Sequence, residues 1–563
     1  DARPAANTPA EAKADAGPDA ADANNTETTG PLPSASWATA EQYYAEEDYA
    51  KAQAEYARLR EARRHIPRYR LLRDYFAFRI AECRRRQGDL AGARDGFAAL
   101  TVSRSPAVRA ASSYNLAVLY YSRGRHLQAR RKACTAAAAL AGMETPLPLR
   151  RRAEYLNAAA LSRKVIGFYR AEDPVPWPAL ACAAPFAGLG RAQIQGLVDD
   201  GAVTLEQADA AGTLRIVERS GAGRRWDVEA NQVPLADVVQ QLVGRTGDEV
   251  RWMGVGDRQR AVPVRAWMRN VTAHRAIELA CGQAALVARF AWEEITIRDP
   301  HAAESLYAQR DLLAREARSA WRRYFLRAQD PQRTAVGHFA LACMLELGGA
   351  AGDALREYEL IAGRFERHEV APLALLRSAK VLRDLGNFAD GRQTLMRLLD
   401  RYPDFRLSDQ VYLDLGRLNR QGGHLDEALD VFRKAHVLNL SAEATLVACV
   451  EAGRTCLEQG HHAEATRWFT RAIAHMDAPL WQRRAEVYLL LGQSEAVGGN
   501  LDAAAGALER VLRSRPKPTQ RSDALLCLLE VRRRQKDFVR GVELLDRLDG
   551  QKLGPARRCE RAL

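Results

Sequence analysis

Apolar and polar positions recur along most of this chain with the period of a helix, and evenly spaced glycines interrupt the pattern. Gly386, Gly423 and Gly460 stand 37 residues apart, with looser returns at Gly499 and Lys536. Each turn lies between two helical stripes, and two residues beyond the glycines stand Phe388, Leu425, His462 and Leu501. A period of this length predicts helical hairpins, each too small to bury its own apolar face and therefore stacked on its neighbours. One module reads Tyr412, Leu415, Gly416, Gly423, Leu425, Ala428, Phe432, Ala435. Leu415 and Gly416 fall on its first helix and Ala428 on its second. The small residues let the two axes approach, while Leu415 and Phe432 fill the space that remains.

The arrangement recurs. Before the turn the small position is Ala379, Gly453 or Gly492, and after it the large position is Leu395, Phe469 or Leu508. Pro403 and Pro516 follow two of the hairpins. Toward the other end, Ala81, Gly88, Leu90, Ala93 and Phe97 make one module and Ala117, Gly124 and Ala129 the next. Trp37 to Leu59, with Tyr49 and Ala52, reads as an earlier one, and Ala342, Gly349, Ala354 and Tyr358 open a second series. This alternation of small and large residues resembles the tetratricopeptide repeat. The resemblance implies two α-solenoid arrays, over residues 36–165 and 300–563, in a mainly α protein. Gly391 and Gly541 replace the usual alanine of the second helix, and Ala133 replaces a bulky residue, so looser packing is expected there.

Between Gly212 and Pro300 the period changes. Arg225 to Ala230 alternates as a strand does, while Leu235, Val238, Val239, Leu242 and Val243 share a helical face. Val250 to Trp252 is short and β-prone, and Ala261 to Met268 alternates again. Ala273 to Cys281 reads as a second helix, with Leu286 to Arg289 and Trp292 to Arg298 as a closing hairpin. Strands and helices so mixed predict a compact α+β domain over residues 213–299. Val233-Pro234-Leu235-Ala236-Asp237-Val238-Val239 with Leu242, and Val271 to Leu279, resemble the secretin and TonB short N-terminal domain. That resemblance implies a non-catalytic docking element that engages other proteins of a bacterial envelope. Residues 166–212 are then a linker, in which Asp173-Pro174-Val175-Pro176-Trp177-Pro178 is stiff and Arg191 to Val198 is helical.

Residues 1–35 hold hardly a large apolar side chain and read as a disordered tether. Residue 1 is Asp, which points to removal of a leader and hence to export into the periplasm; a lipid anchor before it would also fit. No apolar run approaches the length of a membrane span. The nine cysteines are odd in number, and six of them, Cys83, Cys281, Cys343, Cys449, Cys456 and Cys527, fall within helical patterns, as core thiols do. The formal net charge is +13, yet arginine is scattered through every module beside Glu or Asp rather than gathered in a stripe. That pattern predicts solvated helix faces with i,i+4 pairs and no nucleic-acid partner.

No catalytic, cofactor or metal constellation is visible. His461-His462 and His424 lie at turns, and Gly188-Leu189-Gly190 lacks the third glycine of a dinucleotide loop, with Arg191-Ala192 where a phosphate loop has Lys-Ser/Thr. The candidate site lies instead on the first helices, which in stacked hairpins line the concave side. Six residues before successive turn glycines stand Lys380, Arg417 and Arg454, and three before the first two stand Arg383 and Arg420. One helical turn separates the two sets, so they share a face and predict a ladder of cations suited to an acidic peptide or protein tail. The sequence thus predicts a non-enzymatic envelope scaffold whose arrays bind proteins and whose central domain docks a TonB- or secretin-linked complex. The alternative is a factor that assembles outer-membrane, pilus or secretion machinery.

Overall fold

The computed structural model describes residues 37–62, 70–103, 105–140, 147–169, 188, 211–219, 224–326, 330–438, 441–476 and 483–549. The expected tether, the proline-rich connector and the helix at Arg191 to Val198 lie outside these residues. Seven helices come first: α1 (Trp37–Ala45), α2 (Tyr49–Ala62), α3 (Arg70–Arg86), α4 (Leu90–Ala99), α5 (Pro106–Ser122), α6 (His126–Leu140) and α7 (Leu147–Ile166). The first six pair as three consecutive hairpins.

A small α+β region follows: β1 (Thr213–Arg219), β2 (Arg225–Pro234), α8 (Leu235–Thr246), β3 (Glu249–Met253), α9 (Asp257–Arg260), β4 (Pro263–Val271), α10 (Ala273–Gln283), β5 (Val287–Ala291) and β6 (Glu294–Arg298). The expected strands and helices are present. Strand β1 and the single turn of α9 are additions: β1 buries only Ile216 fully and so carries almost no apolar alternation. The strands form two sheets. β1-β2-β4 is antiparallel throughout, and in β3-β6-β5 the first pair is parallel and the second antiparallel.

Thirteen further helices complete the described chain: α11 (Leu306–Phe325), α12 (Pro331–Leu347), α13 (Ala351–Arg364), α14 (Val370–Asp384), α15 (Phe388–Arg401), α16 (Ser408–Gln421), α17 (Leu425–Val437), α18 (Ala442–Glu458), α19 (His462–Ala474), α20 (Arg484–Val497), α21 (Leu501–Arg513), α22 (Pro518–Arg534) and α23 (Phe538–Asp549). From α12 onward they pair as hairpins. The turns have one cause. At Gly423 the backbone takes φ +82°, its N–H donates to Arg420 O (3.1 Å), and the His424 N–H donates to Asn419 O (2.9 Å), which caps the last turn of α16. Gly88, Gly124, Gly349, Gly386, Gly460 and Gly499 share the positive φ, and Glu47 and Lys536 take the same slot in the first and last hairpins.

Small residues set the helix spacing as expected. A Cβ on Gly453 would stand 2.5 Å from Phe469 Cε1, and one on Gly492 2.7 Å from Leu508 Cγ. The looser packing expected at Gly391 is not found, because Leu418 Cδ2 lies 3.0 Å from where a Cβ would stand. Gly541 does have room: its nearest atom is Leu529 Cδ1 at 3.9 Å. Ala133 is fully buried.

The two helical arrays meet in space. α7 packs along α11, more than a hundred residues later, and both flank the start of α12. Trp321 is wholly buried there, its Nε1 donating to Ser162 Oγ (2.8 Å) and its ring meeting Tyr155 edge-on at 5.6 Å. The α+β domain is therefore inserted into one hairpin of a continuous stack. It is seated by α10 and β4 against α6. Arg130 of α6 donates to Leu286 O (3.0 Å) and to Glu316 Oε1 (3.1 Å), and Arg275 of α10 bridges Glu154 and Glu278 at 3.0 Å each. Arg323 closes the network on Glu278.

Candidate protein-binding wall

The first helices α14, α16, α18 and α20 are neighbours in the stack, so residues one repeat apart face each other. The five predicted cations do share this wall, but each meets carboxylates of the same chain. Lys380 Nζ lies 3.7 Å from Asp414 Oδ2, and Arg383 reaches Asp414 (3.5 Å) and Asp384 (3.2 Å). Arg417 lies between Asp414 (3.3 Å) and Glu451 (3.4 Å). Arg420 contacts Glu451 (3.2 Å) and Glu458 (2.6 Å), and Arg454 contacts Glu451 (3.7 Å) and Glu486 (2.7 Å). The expected ladder of cations is thus a ladder of alternating charge.

Asp414 and Glu451 are the centre of that correction. They sit on α16 and α18, each buried and each serving three cations, and their carboxylates are what allow so many guanidinium groups on one wall. The spacing is a partial signal: Asp414 falls 34 residues after Lys380, and Glu451 falls 34 after Arg417, close to one repeat. The series extends to the preceding repeat, where Arg377 of α14 pairs with Glu346 of α12 and Tyr358 Oη donates to the same carboxylate (2.6 Å). Burial works against the Arg377 charge, but Glu346 outweighs it and holds the guanidinium above its usual range.

The second helices are stitched similarly on the outside. Arg392–Glu427 (2.5 Å), Arg397–Glu359 (3.0 Å) and Arg433–Glu464 (2.8 Å) join consecutive hairpins. The expected i,i+4 pairs are therefore a minor part of the electrostatics, and the dominant spacing is that of the repeat.

The turn histidines form no site: His424 is exposed beside Glu427 at 3.9 Å, and His461 and His462 start α19. Among the described residues no group of three or more His, Cys, Asp or Glu is placed to hold a metal ion, and no helix is long and apolar enough to cross a membrane. Cys83, Cys134, Cys281, Cys343, Cys449 and Cys456 are free and buried, and burial pushes the thiols of Cys134, Cys449 and Cys456 up to about 11. Core thiols of this kind are poor nucleophiles and resist oxidation.

A tetratricopeptide repeat family model matches residues 376–437, 450–520 and 489–555. No curated protein matches the chain. Among solved structures, BtubC from P. vanneervenii is 19% identical, covering 37% of this chain and 92% of its own with a TM-score of 0.31. PilW, described as a widely conserved type IV pilus biogenesis factor, is 17% identical over 38% of this chain and 92% of its own, TM-score 0.31. A tetratricopeptide repeat protein from Parabacteroides merdae is 16% identical over 44% and 91%, TM-score 0.31. The repeats support a protein-interaction scaffold. The hairpins from residue 376 onward are tetratricopeptide repeats.

Proposed function

We propose that the chain is a non-enzymatic scaffold of the bacterial cell envelope, in which the repeat wall grips one protein while the inserted domain docks another, belonging to a TonB- or secretin-linked complex. The observation that carries the two-partner reading is the closure of α7 on α11 around the inserted domain, with Trp321 and Arg130 buried and Arg275 half-buried in the seam. A domain seated so firmly holds its free surfaces at a fixed position relative to the wall. The support for the envelope, and for the periplasmic side of it, is the resemblance of Val233 to Leu242 and Val271 to Leu279 to the short N-terminal domain of secretins and TonB-linked receptors.

The inserted domain offers a contact residue. Trp292, at the turn between β5 and β6, is 89% exposed, and exposed tryptophan is a costly side chain to leave in water unless a partner covers it. The wall offers Arg454 and Glu486, whose half-exposed pair stands at the end of the charge ladder. On the wall, the alternating charges fit a partner segment that itself carries both signs, in place of the purely acidic peptide that a bare cation ladder would select.

The test is a crosslinking pull-down from membranes of the source cell, using the full chain, Trp292→Ala, and the pair Arg454→Ala with Glu486→Ala. Loss of one envelope partner with Trp292→Ala and of a different one with the wall pair supports the reading. Recovery of the same partners by all three versions would remove it.

A further inference from the structure

The seam between the solenoid and the inserted domain holds a second set of charges that the scaffold reading does not use. β4 packs on α6, which in turn packs on α5, and along this junction the charge of Arg265 on β4 is felt by Arg109 on α5 and, with that of Arg131, by Lys132 on α6. Gln283 ties two of them together: Arg131 Nε donates to its carbonyl (2.8 Å), and its side-chain amide bonds both ways to the backbone of Arg265 (3.1 and 3.2 Å). Elsewhere among the described residues buried arginines come with carboxylates, as Arg79, Arg130 and Arg377 do. Here, among the described residues, no carboxylate forms an ion pair with any of the four.

Arg109 is 92% removed from solvent in its environment, with 8% of its surface exposed. The only described hydrogen bond of its side chain is to Ser103 O (3.3 Å), and its Nε, like that of Arg265, is buried without a partner among the described residues. The consequence is visible in the acidities. Burial, then the charge of Arg265, brings Arg109 down to about 10. Burial, then Arg131 and Arg265, lowers Lys132, and burial lowers Arg265. Uncompensated cations so placed repel one another and lack the hydrogen bonds they would make in water.

We propose that Arg109, Arg131, Lys132 and Arg265 form a binding site for a phosphate group at the seam between the solenoid and the inserted domain. A phosphate carries two charges and several acceptor oxygens, enough to meet guanidinium donors from α5, α6 and β4 at once, whereas a single carboxylate would leave most of the positive charge unopposed. The cluster grades from exposed Arg131 through half-buried Lys132 and Arg265 to buried Arg109, so an anion can enter from solvent. Bound there, it would bridge the inserted domain to the solenoid. The source is either free phosphate or a phosphoryl group carried on a small molecule.

The experiment uses the full chain in thermal unfolding and calorimetric titration with inorganic phosphate, against sodium chloride at matched ionic strength, and in parallel with glycerol 3-phosphate. The expected result is a saturable rise in unfolding midpoint with phosphate but not with chloride. Arg265→Gln should raise the midpoint in phosphate-free buffer, since it relieves repulsion, and weaken phosphate binding at least tenfold. A residue with only a structural role would lower the midpoint when replaced. Lys132→Gln, which loses no described hydrogen bond, should weaken binding several-fold. Tighter binding of glycerol 3-phosphate than of phosphate would assign a carried phosphoryl group, and the reverse order the free ion. Absence of saturable binding to the unaltered chain, or equal binding by Arg265→Gln, overturns the proposal.

Discussion

The hairpin of α16 and α17 and the hairpin of α7 and α11 make the same kind of packed pair by opposite means. In the first, one glycine at φ +82° reverses the chain, Gly416 admits Phe432, and every contact lies within thirty residues. In the second, the turn is replaced by a whole domain, and the helices find each other through Trp321, Tyr155 and Ser162. A repeat hairpin is specified locally and so tolerates variation in any one module. The interrupted hairpin is specified by a few long-range contacts, whose loss should be felt at once.

The largest effect should therefore come from Trp321→Ala. Removing a wholly buried tryptophan costs about 3–5 kcal/mol, and here it also strands Ser162 Oγ without its donor. Urea unfolding should show this loss together with faster hydrogen exchange in α7. A change under about 1 kcal/mol would mean that the inserted domain's own seam, and not the α7–α11 contact, joins the arrays.

Next is a pH effect confined to the first array. Glu82 is almost fully buried beside Arg79 (3.0 Å), and burial, against the opposing pull of Arg79, pushes its carboxyl up to about 7. Folded Glu82 therefore holds its proton more tightly than unfolded Glu82 does. Its contribution is fully present below about 4.5 and is lost as the pH rises through about 7. Stability of α1 to α4 should rise by up to about 3 kcal/mol between pH 8 and pH 5, measured by exchange of their amides. Glu82→Gln should flatten that slope; an unchanged slope would place the titrating group elsewhere.

Two glycines separate packing from propensity. Gly453→Ala should cost roughly 1–2 kcal/mol, because the new methyl collides with Phe469 and the gain in helix propensity only partly offsets the strain. Gly506→Ala, on an open face of α21 with nothing within 4 Å, should stabilise by up to about 1 kcal/mol. Thermal midpoints of the two variants moving in the same direction would contradict the role given to small residues.

The same contrast explains what the sequence made legible. Turn glycines, small positions and the large residue that fills each hairpin recur, so the helical modules could be read one by one. Strand β1 could not, because its side chains are mostly exposed and carry no alternation. The wall was half legible: Lys380, Arg417 and Arg454 stood out as basic at a fixed offset, whereas Asp414 and Glu451 become their partners only when adjacent first helices are set side by side. The closure of α7 on α11 left no mark at all, since nothing in a local pattern reports that two helices across an insertion form one pair.

The smallest effect distinguishes the outer face from the wall. Arg433 pairs with Glu464 at 2.8 Å and with Asp430 at 3.2 Å, but its side chain is 45% exposed, so holding that geometry in water returns little. A double-mutant cycle of Arg433→Ala with Glu464→Ala should give a coupling of about 0.2–1 kcal/mol that shrinks as salt is added. On the wall, Asp414 is buried and shared by Lys380, Arg383 and Arg417, so a cycle of Arg417→Ala with Asp414→Asn should give a larger coupling that salt barely alters. Equal couplings with equal salt dependence would mean that inner and outer charges do one job, and that burial of Asp414 and Glu451 adds nothing to how neighbouring repeats are held.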